Sequence, residues 1–396
     1  MADSKISPLD TTETVHLYST PGAAATPALH RMIQERIKHS GPLAFSDFMA
    51  MALYEPGLGY YARGLGQTGR DGDFYTSVSV GPLFGRLLAR RFLNWWENAG
   101  SPNLWRMVEV GAHDGTLAHD ILSELSVLNP TAFSAVEYRI IEPLEQLREA
   151  QMAKLAGFGA TVKVTSGSDD AIKLPGIVFG NEVLDALPFQ IVEKTGDHWA
   201  ELKVGLSGDE QFEWRAAQID PELLPKILNT EIDTFPQGYR TEIRDYRGFL
   251  APFRELIDAG LLIFPDYGYA RPEYYHPDRT TGTLRTFSKH QAVENPLERP
   301  GEIDITAHVD FTTFAEQAHA LGYRASAFQS QGHWLTQLAW DWLLAQEGNP
   351  DVSGLRQFQS LTHPGHLGSR FQVIELAWND ATAAPLSAPD AHRLGC

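Results

Sequence analysis

The 396-residue chain holds one cysteine, Cys396, so neither a disulfide framework nor a cysteine-rich metal site is available within it. A lone thiol suits a reducing compartment, and the cytoplasm is the expected setting. Nowhere do about 18 apolar residues run together, so no membrane-spanning helix and no membrane partner is expected. Basic residues are scarce: 32 Lys and Arg stand against 50 Asp and Glu, a formal net charge of -18. A nucleic-acid binder needs a basic face to displace counterions, so nucleic acid is set aside and a cationic partner is compatible. The 14 histidines show no HExxH and no Cys–His spacing, and no metal is expected. The first residues also lack an apolar run, and they include Asp3, Asp10 and Glu13, acids that a transit peptide avoids.

What is present is an ordered alternation. Residues 1–26 are polar and read as a disordered tail, as does 381–396. Helical periodicity starts at Pro27, with Leu29, Met32, Ile33 and Ile37 on one face, and a second helix follows over AFSDFMAMALY. An amphipathic helix ending at Gly100 completes a mostly helical N-terminal lobe over 27–104. Strands are expected near 106–110, 138–141, 161–165, 176–180 and 261–265, with helices between the first four, the pattern of a parallel α/β sheet. The core therefore spans 105–195 and 240–380. Within the inserted region 196–239, HWAELKVGL and QFEWRAAQI alternate on either side of SGDE and predict a hairpin. Residues 267–310 have few apolar runs and read as a substrate-facing loop. A helix from about 311, strands near 324–328 and 370–378, and a helix from about 334 complete the pattern.

The first strand feeds the stretch MVEVGAHDGTLA at 107–118. Gly111 permits a tight turn, Gly115 permits close packing, and the helix opening at Thr116 points its N–H groups and dipole at the loop. His113 stands where a dinucleotide fingerprint has its middle glycine, but histidine tolerates left-handed backbone better than most residues. Glu109 lies two residues before Gly111. Glu142 ends the second strand, where an acid accepts ribose hydroxyls; the plainer alternative is a solvated strand end. A dinucleotide site wants three glycines for its pyrophosphate and an acid about 20 residues on. S-adenosylmethionine has an amino-acid end, a ribose and an adenine but no pyrophosphate, and the loop fits it better than NAD.

Six blocks then resemble the class I methyltransferase family that includes bacterial MidA-like proteins and the mitochondrial complex I assembly-factor methyltransferase. They are FSDFMAMALYEPGLGYYARG, GDFYTSVSVGPLFG, EVGAHDGTLAHDIL, NEVLDALPFQ, GTLRTFSKH and GEIDITAHVDFT, with a weaker match in LTHPGHLGSRFQVIELA. Together they span about 45–378; the loop departs from the family at His113 and Asp114. The resemblance implies a Rossmann-like, seven-stranded methyltransferase sheet with an added helical lobe. It also implies S-adenosylmethionine as methyl donor, S-adenosylhomocysteine as product and, for eukaryotic relatives, a protein-arginine substrate. By motif Glu109, Gly111, Gly115 and Glu142 become cofactor contacts, joined by Thr76 and Ser77. Ser168 and Asp169, after the third strand, are added as an adenine contact or an ordinary helix cap.

Methyl transfer needs alignment and exclusion of water, and a base only where the nucleophile is protonated. The fourth strand ends in Asn181-Glu182, beside the place for a reacting methyl. The Asn181 amide suits either ligand. Glu182 and Asp185 together would hold and polarise a guanidinium; the alternatives are a Glu182 pair with an internal arginine and an Asp185 turn cap. Asp266 and Tyr267 end the fifth strand on the same rim. Arg285, His290, Asp304 and His308 follow, with His308 either a base near neutral pH or a tie within the loop. The leading reading is a methyltransferase acting on a protein side chain, arginine first. A small-molecule O- or N-methyltransferase, a non-catalytic cofactor-binding assembly factor and a nicotinamide oxidoreductase are the alternatives.

Overall fold

A computed structural model describes residues 25–64, 76–167, 172–288, 291–292 and 295–395. Ser168, Asp169, His290 and Cys396 lie outside the described residues. Helices open the chain: α1 (Ala25–Ser40), α2 (Phe45–Tyr54) and α3 (Leu83–Asn98). α3 places Phe84, Leu87, Leu88, Phe92 and Trp95 at three- and four-residue spacing, which gathers them on one face against the main core. Its first N–H, on Leu83, is satisfied by the Gln357 side chain at 3.0 Å.

An alternation follows: β1 (Trp105–Val110), α4 (Thr116–Leu128), β2 (Val136–Ile141), α5 (Glu145–Leu155), β3 (Val162–Thr165) and β4 (Leu174–Phe179). β1 is buried at every residue before Val110, as befits a strand covered on both faces. Next come β5 (Gln190–Thr195), β6 (His198–Leu206), β7 (Phe212–Gln218), β8 (Arg240–Ile243) and the long β9 (Ile257–Tyr269). Further along come β10 (Arg285–Ser288), β11 (Asp304–Thr306), α6 (Phe311–Ala320), β12 (Arg324–Ser330), α7 (Gln331–Leu338) and β13 (Phe371–Trp378), and a last helix over Ala388–Leu394 lies within the segment read as a tail.

The main sheet runs β12–β13–β9–β4–β1–β2–β3, and the two-residue strand Val309–Asp310 adds an eighth, parallel to the end of β9. β9, β4, β1, β2 and β3 are parallel, whereas β13 is antiparallel to both neighbours. Apart from the two strands of the expected hairpin, every strand expected from the sequence overlaps one of these seven. The chain steps outward from β1 to β3, then crosses back to β4 on the other side of β1. Such a reversal opens a crevice beyond the carboxyl ends of the strands.

A second, antiparallel sheet contains β5 to β8 and the short strand Leu43–Ala44. The expected hairpin is β6–β7, paired from Ala200–Gln218 to Leu206–Phe212, but β5 and β8 widen it into a sheet. Leu29, Ile33, Phe45 and Phe48 of the first two helices pack with Ile191, Leu202 and Ile305. α1 and α2 thus sit on the second sheet and β11, whereas α3 sits on the main sheet. This junction sets the end of α2 over the crevice.

Candidate active site

A cavity of about 1080 Å³ lies at the carboxyl ends of β1, β2 and β4. β1 runs into Gly111 at φ +68, and a Cβ there would overlap Val183 Cγ1. Only glycine meets both conditions without strain. His113 follows at φ +46, so its backbone takes the left-handed turn that a glycine would take. The His113 carbonyl accepts Gln151 Nε2 at 2.8 Å, which ties the turn to α5. Asp114 Oδ1 accepts the Thr116 N–H at 3.0 Å, and Lys154 Nζ donates to Asp114 and, at 2.6 Å, to Thr116 Oγ1. Burial opposes ionisation of Asp114, yet the hydrogen bonds from His113, Lys154 and Thr116 hold its carboxyl well below the usual range.

Two acids close this half of the cavity. Glu109 accepts the Tyr138 hydroxyl at 2.6 Å, and burial pushes its carboxyl up to about 8 despite that bond. Glu142 is only 5% exposed, so it is not a solvated strand end. It accepts the Leu144 N–H at 2.9 Å and Gln151 Nε2 at 3.4 Å, while burial raises its carboxyl above the ordinary value. A tight glycine turn without room for a side chain, a helix start and a buried acid at the next strand end fit S-adenosylmethionine. Gly111, Thr116 and Glu142 would hold it, with Glu109 below.

The other half is built on the end of β4. Glu182 has φ +53, a backbone cost that non-glycine residues bear chiefly at functional sites. Its N–H is fixed on the Pro265 carbonyl at 3.0 Å. Its carboxylate accepts Asn181 Nδ2 at 2.7 Å and the Ser77 N–H at 3.3 Å. Burial, then the charge of Asp185, pushes Glu182 up to about 8. Burial raises Asp185 to about 6, a rise that the Arg244 guanidinium limits. Thr76, Asn181, Glu182, Asp185 and Asp304 all line the cavity with the loop residues.

Other expected residues lie elsewhere. Ser77 is buried, with its hydroxyl on Gln331 Oε1 at 3.0 Å, and Gly115 (φ +81) shapes the loop from behind. Asp266 faces away from the cavity: its carboxylate accepts the N–H groups of Leu184 at 2.7 Å, Asp185 at 3.3 Å and Tyr267 at 2.7 Å. It braces the Glu182–Asp185 segment, and burial with the charges of Asp185 and Glu182 holds it well above the carboxylate range. Tyr267 packs on Phe371 with ring centroids 4.0 Å apart, and Arg285 is exposed, donating to the Leu284 carbonyl. His308 lies between Tyr267 and Tyr269 rather than on the cavity wall. Burial and the charges of Arg285, Arg279 and Arg244 push it down to about 4, so it does not suit a base at neutral pH.

Three residues outside the sequence reading complete the site. Arg244, just after β8, donates to the carbonyls of Asp185 and Leu187 at 2.9 Å and of Ala307 at 3.3 Å. Nothing in RTEIRDYRG separates such an arginine from its surface neighbours. Tyr54 and Tyr61 line the cavity from the N-terminal side; Tyr54 ends the expected second helix and Tyr61 stands in the glycine-rich stretch EPGLGYYARG after it, and the sequence singles out neither as a site residue.

This combination of sheet order, glycine loop and strand-end acids defines the class of S-adenosylmethionine-dependent methyltransferases. A profile of one family of S-adenosyl-L-methionine-dependent methyltransferases matches residues 87–329, and the chain belongs to that family. It is 26% identical over 380 residues to the protein arginine methyltransferase NDUFAF7 homolog, mitochondrial, of Drosophila melanogaster, covering 88% of this chain and 84% of that one. Against human protein arginine methyltransferase NDUFAF7, mitochondrial, it is 26% identical over 394 residues, 89% and 83% of the two chains. A COG1565 superfamily member from Burkholderia thailandensis, crystallised with S-adenosyl-homocysteine, superposes with a TM-score of 0.79 at 30% identity, over 91% of this chain and 95% of that one. The enzyme is therefore a methyltransferase that uses S-adenosylmethionine. The animal relatives are named as mitochondrial, which lends no support to the cytoplasmic expectation. No helix among the described residues is long and apolar enough to cross a membrane.

Proposed function

We propose that the enzyme methylates a side-chain nitrogen of a protein, with arginine as the acceptor residue. The observation that carries this reading is the pair of half-buried carboxylates, Glu182 and Asp185, on the wall of the cavity that the glycine loop also lines. The arginine activity in the names of the animal relatives supports it.

When bound, S-adenosylmethionine supplies an electrophilic methyl group on a sulfonium. The chain's own residues handle the acceptor. Two carboxylates held above the ordinary range, both by burial and Glu182 also by the charge of Asp185, are poised to exchange a proton for a cation. A guanidinium entering between them restores both to the ionised state and is held by charge-assisted hydrogen bonds. Its planar orientation then aligns one nitrogen with the methyl carbon, which is the main demand of in-line transfer. The nitrogen sheds a proton on methylation, and the ionised Glu182 carboxylate is the receiving group.

The test is transfer of labelled methyl from S-adenosylmethionine into a protein extract and, separately, a metabolite extract. One added methyl on a protein arginine is the expected product. Label confined to metabolites would replace this reading with the small-molecule one, and cofactor binding without turnover in either would replace it with a non-catalytic role.

A further inference from the structure

On the N-terminal side, away from the glycine loop, two tyrosines line the cavity. Tyr54, at the end of α2, and Tyr61 stack with ring centroids 5.5 Å apart and planes 24° from parallel. Both hydroxyls are already committed. The Tyr54 hydroxyl donates to the Ala186 carbonyl at 2.8 Å, and the Tyr61 hydroxyl donates to Asp304 Oδ1 at 2.7 Å. Tyr54 is nonetheless 37% exposed on the cavity wall, so its ring surface, not its hydroxyl, is what a ligand meets. Asp185 and Asp304 lie close enough to both rings for their charges to bear on the phenols. The wall thus presents a π-face with the half-buried Asp185 beside it and the fully buried Asp304 behind it, a surface that favours an organic cation over a neutral group of the same shape.

We infer that Tyr54, Tyr61, Asp185 and Asp304 form the acceptor subsite, which selects a cationic side-chain head before methyl transfer. This rests on the methyltransferase reading and deepens it by naming the recognition surface. The hydrogen bond from Tyr54 to the Ala186 carbonyl also attaches this wall to the residue that follows Asp185. The subsite is assembled from segments far apart in the chain, since the tyrosines come from the N-terminal helical segment and Asp304 from β11, which pairs with β10 in a separate small sheet. Its selectivity is a matter of charge and face. A ring supplied by phenylalanine serves as well as one supplied by tyrosine.

The experiment is a binding titration on the full-length protein saturated with S-adenosylhomocysteine. The probes are N-acetyl-arginine amide, its lysine counterpart and the neutral citrulline counterpart, read by saturation-transfer NMR. At least one cationic probe is expected to bind, and citrulline is not. Tyr54→Leu is expected to weaken the bound cation about tenfold, while Tyr54→Phe stays near wild type. Asp304→Asn, which keeps its shape, is expected to weaken cation binding without lowering affinity for S-adenosylhomocysteine. That affinity is the check that each variant has folded. Equal binding of citrulline, undiminished binding to folded Tyr54→Leu, or failure of both cations to bind wild type would overturn the inference. Ring-dependent binding of the lysine probe alone would uphold the subsite and remove arginine as the acceptor, so the two ideas fail separately.

Discussion

Glu182 and Asp185 show at the scale of single residues how burial sets the chemistry. With carboxyls near 8 and 6, they ionise across the neutral range rather than below it. A cationic acceptor binds their ionised forms, so kcat/KM is expected to climb between about pH 6 and 8. Glu182→Gln keeps the amide-sized shape and removes the charge; it is expected to lower kcat/KM about a hundredfold and flatten the upper part of that climb. A pH–rate profile of both proteins decides, and an unchanged profile in the variant would exclude Glu182 from the titration. Gly111 makes a different demand. Gly111→Ala meets a positive φ and the Val183 side chain together, and is expected to cost about 1–2 kcal/mol of stability with weaker S-adenosylhomocysteine binding. Melting and calorimetry on the same sample would show it. Glu142 was legible because strand ends in α/β folds carry ligand acids. Asp266 and His308 were misplaced because position along the chain does not say which way a side chain turns.

Among elements, the decisive one is the inserted second sheet. Its strand β8 leads into Arg244, which bonds to carbonyls on both the Asp185–Leu187 segment and the Ala307–His308 segment. One buried guanidinium therefore joins two cavity walls and tempers the Asp185 carboxyl. Arg244→Met leaves those carbonyls without their donor and is expected to destabilise the fold by about 3–5 kcal/mol. Because the charge that lowers Asp185 is gone, the lower part of the pH–rate profile should move to higher pH. Denaturant titration and the profile together separate loss of stability from loss of tuning. The hairpin β6–β7 was readable from its alternation. That it belongs to a wider sheet was not, since β5 and β8 are short and are separated in the chain by the hairpin itself and the short helical turns after it.

Across the whole molecule, buried acids couple folding to pH. Glu109 and Glu182 keep their protons up to about 8 in the folded chain, whereas an unfolded chain releases them near the ordinary carboxylate value. Between those limits the folded state binds more protons, so stability falls as pH rises. The part these two groups contribute is complete below the ordinary value and lost as pH passes about 8. The melting temperature of the ligand-free protein is therefore expected to decline from pH 5 to 8.5, through the window set by those two carboxyls. Glu182→Gln should reduce that slope; an equal slope in the variant would show that Glu182 ionises normally in the folded state.

By itself the sequence determined the seven strands of the main sheet, the hairpin, the glycine loop after β1 and the acids at strand ends. Each of these depends on local periodicity or on residues adjacent in the chain. His113 belongs here too, because its left-handed backbone is a property of the residue type within a short turn. Tertiary structure alone decided that Tyr54, Tyr61, Asp185 and Asp304 share one wall, that Asp266 is a brace and that Arg244 is a link. These depend on contacts between segments far apart in sequence, brought together by burying the faces of α1 and α2 against the second sheet. Hydrophobic burial is non-directional, so it leaves a readable pattern of which residues go inside but no record of which distant neighbour they meet.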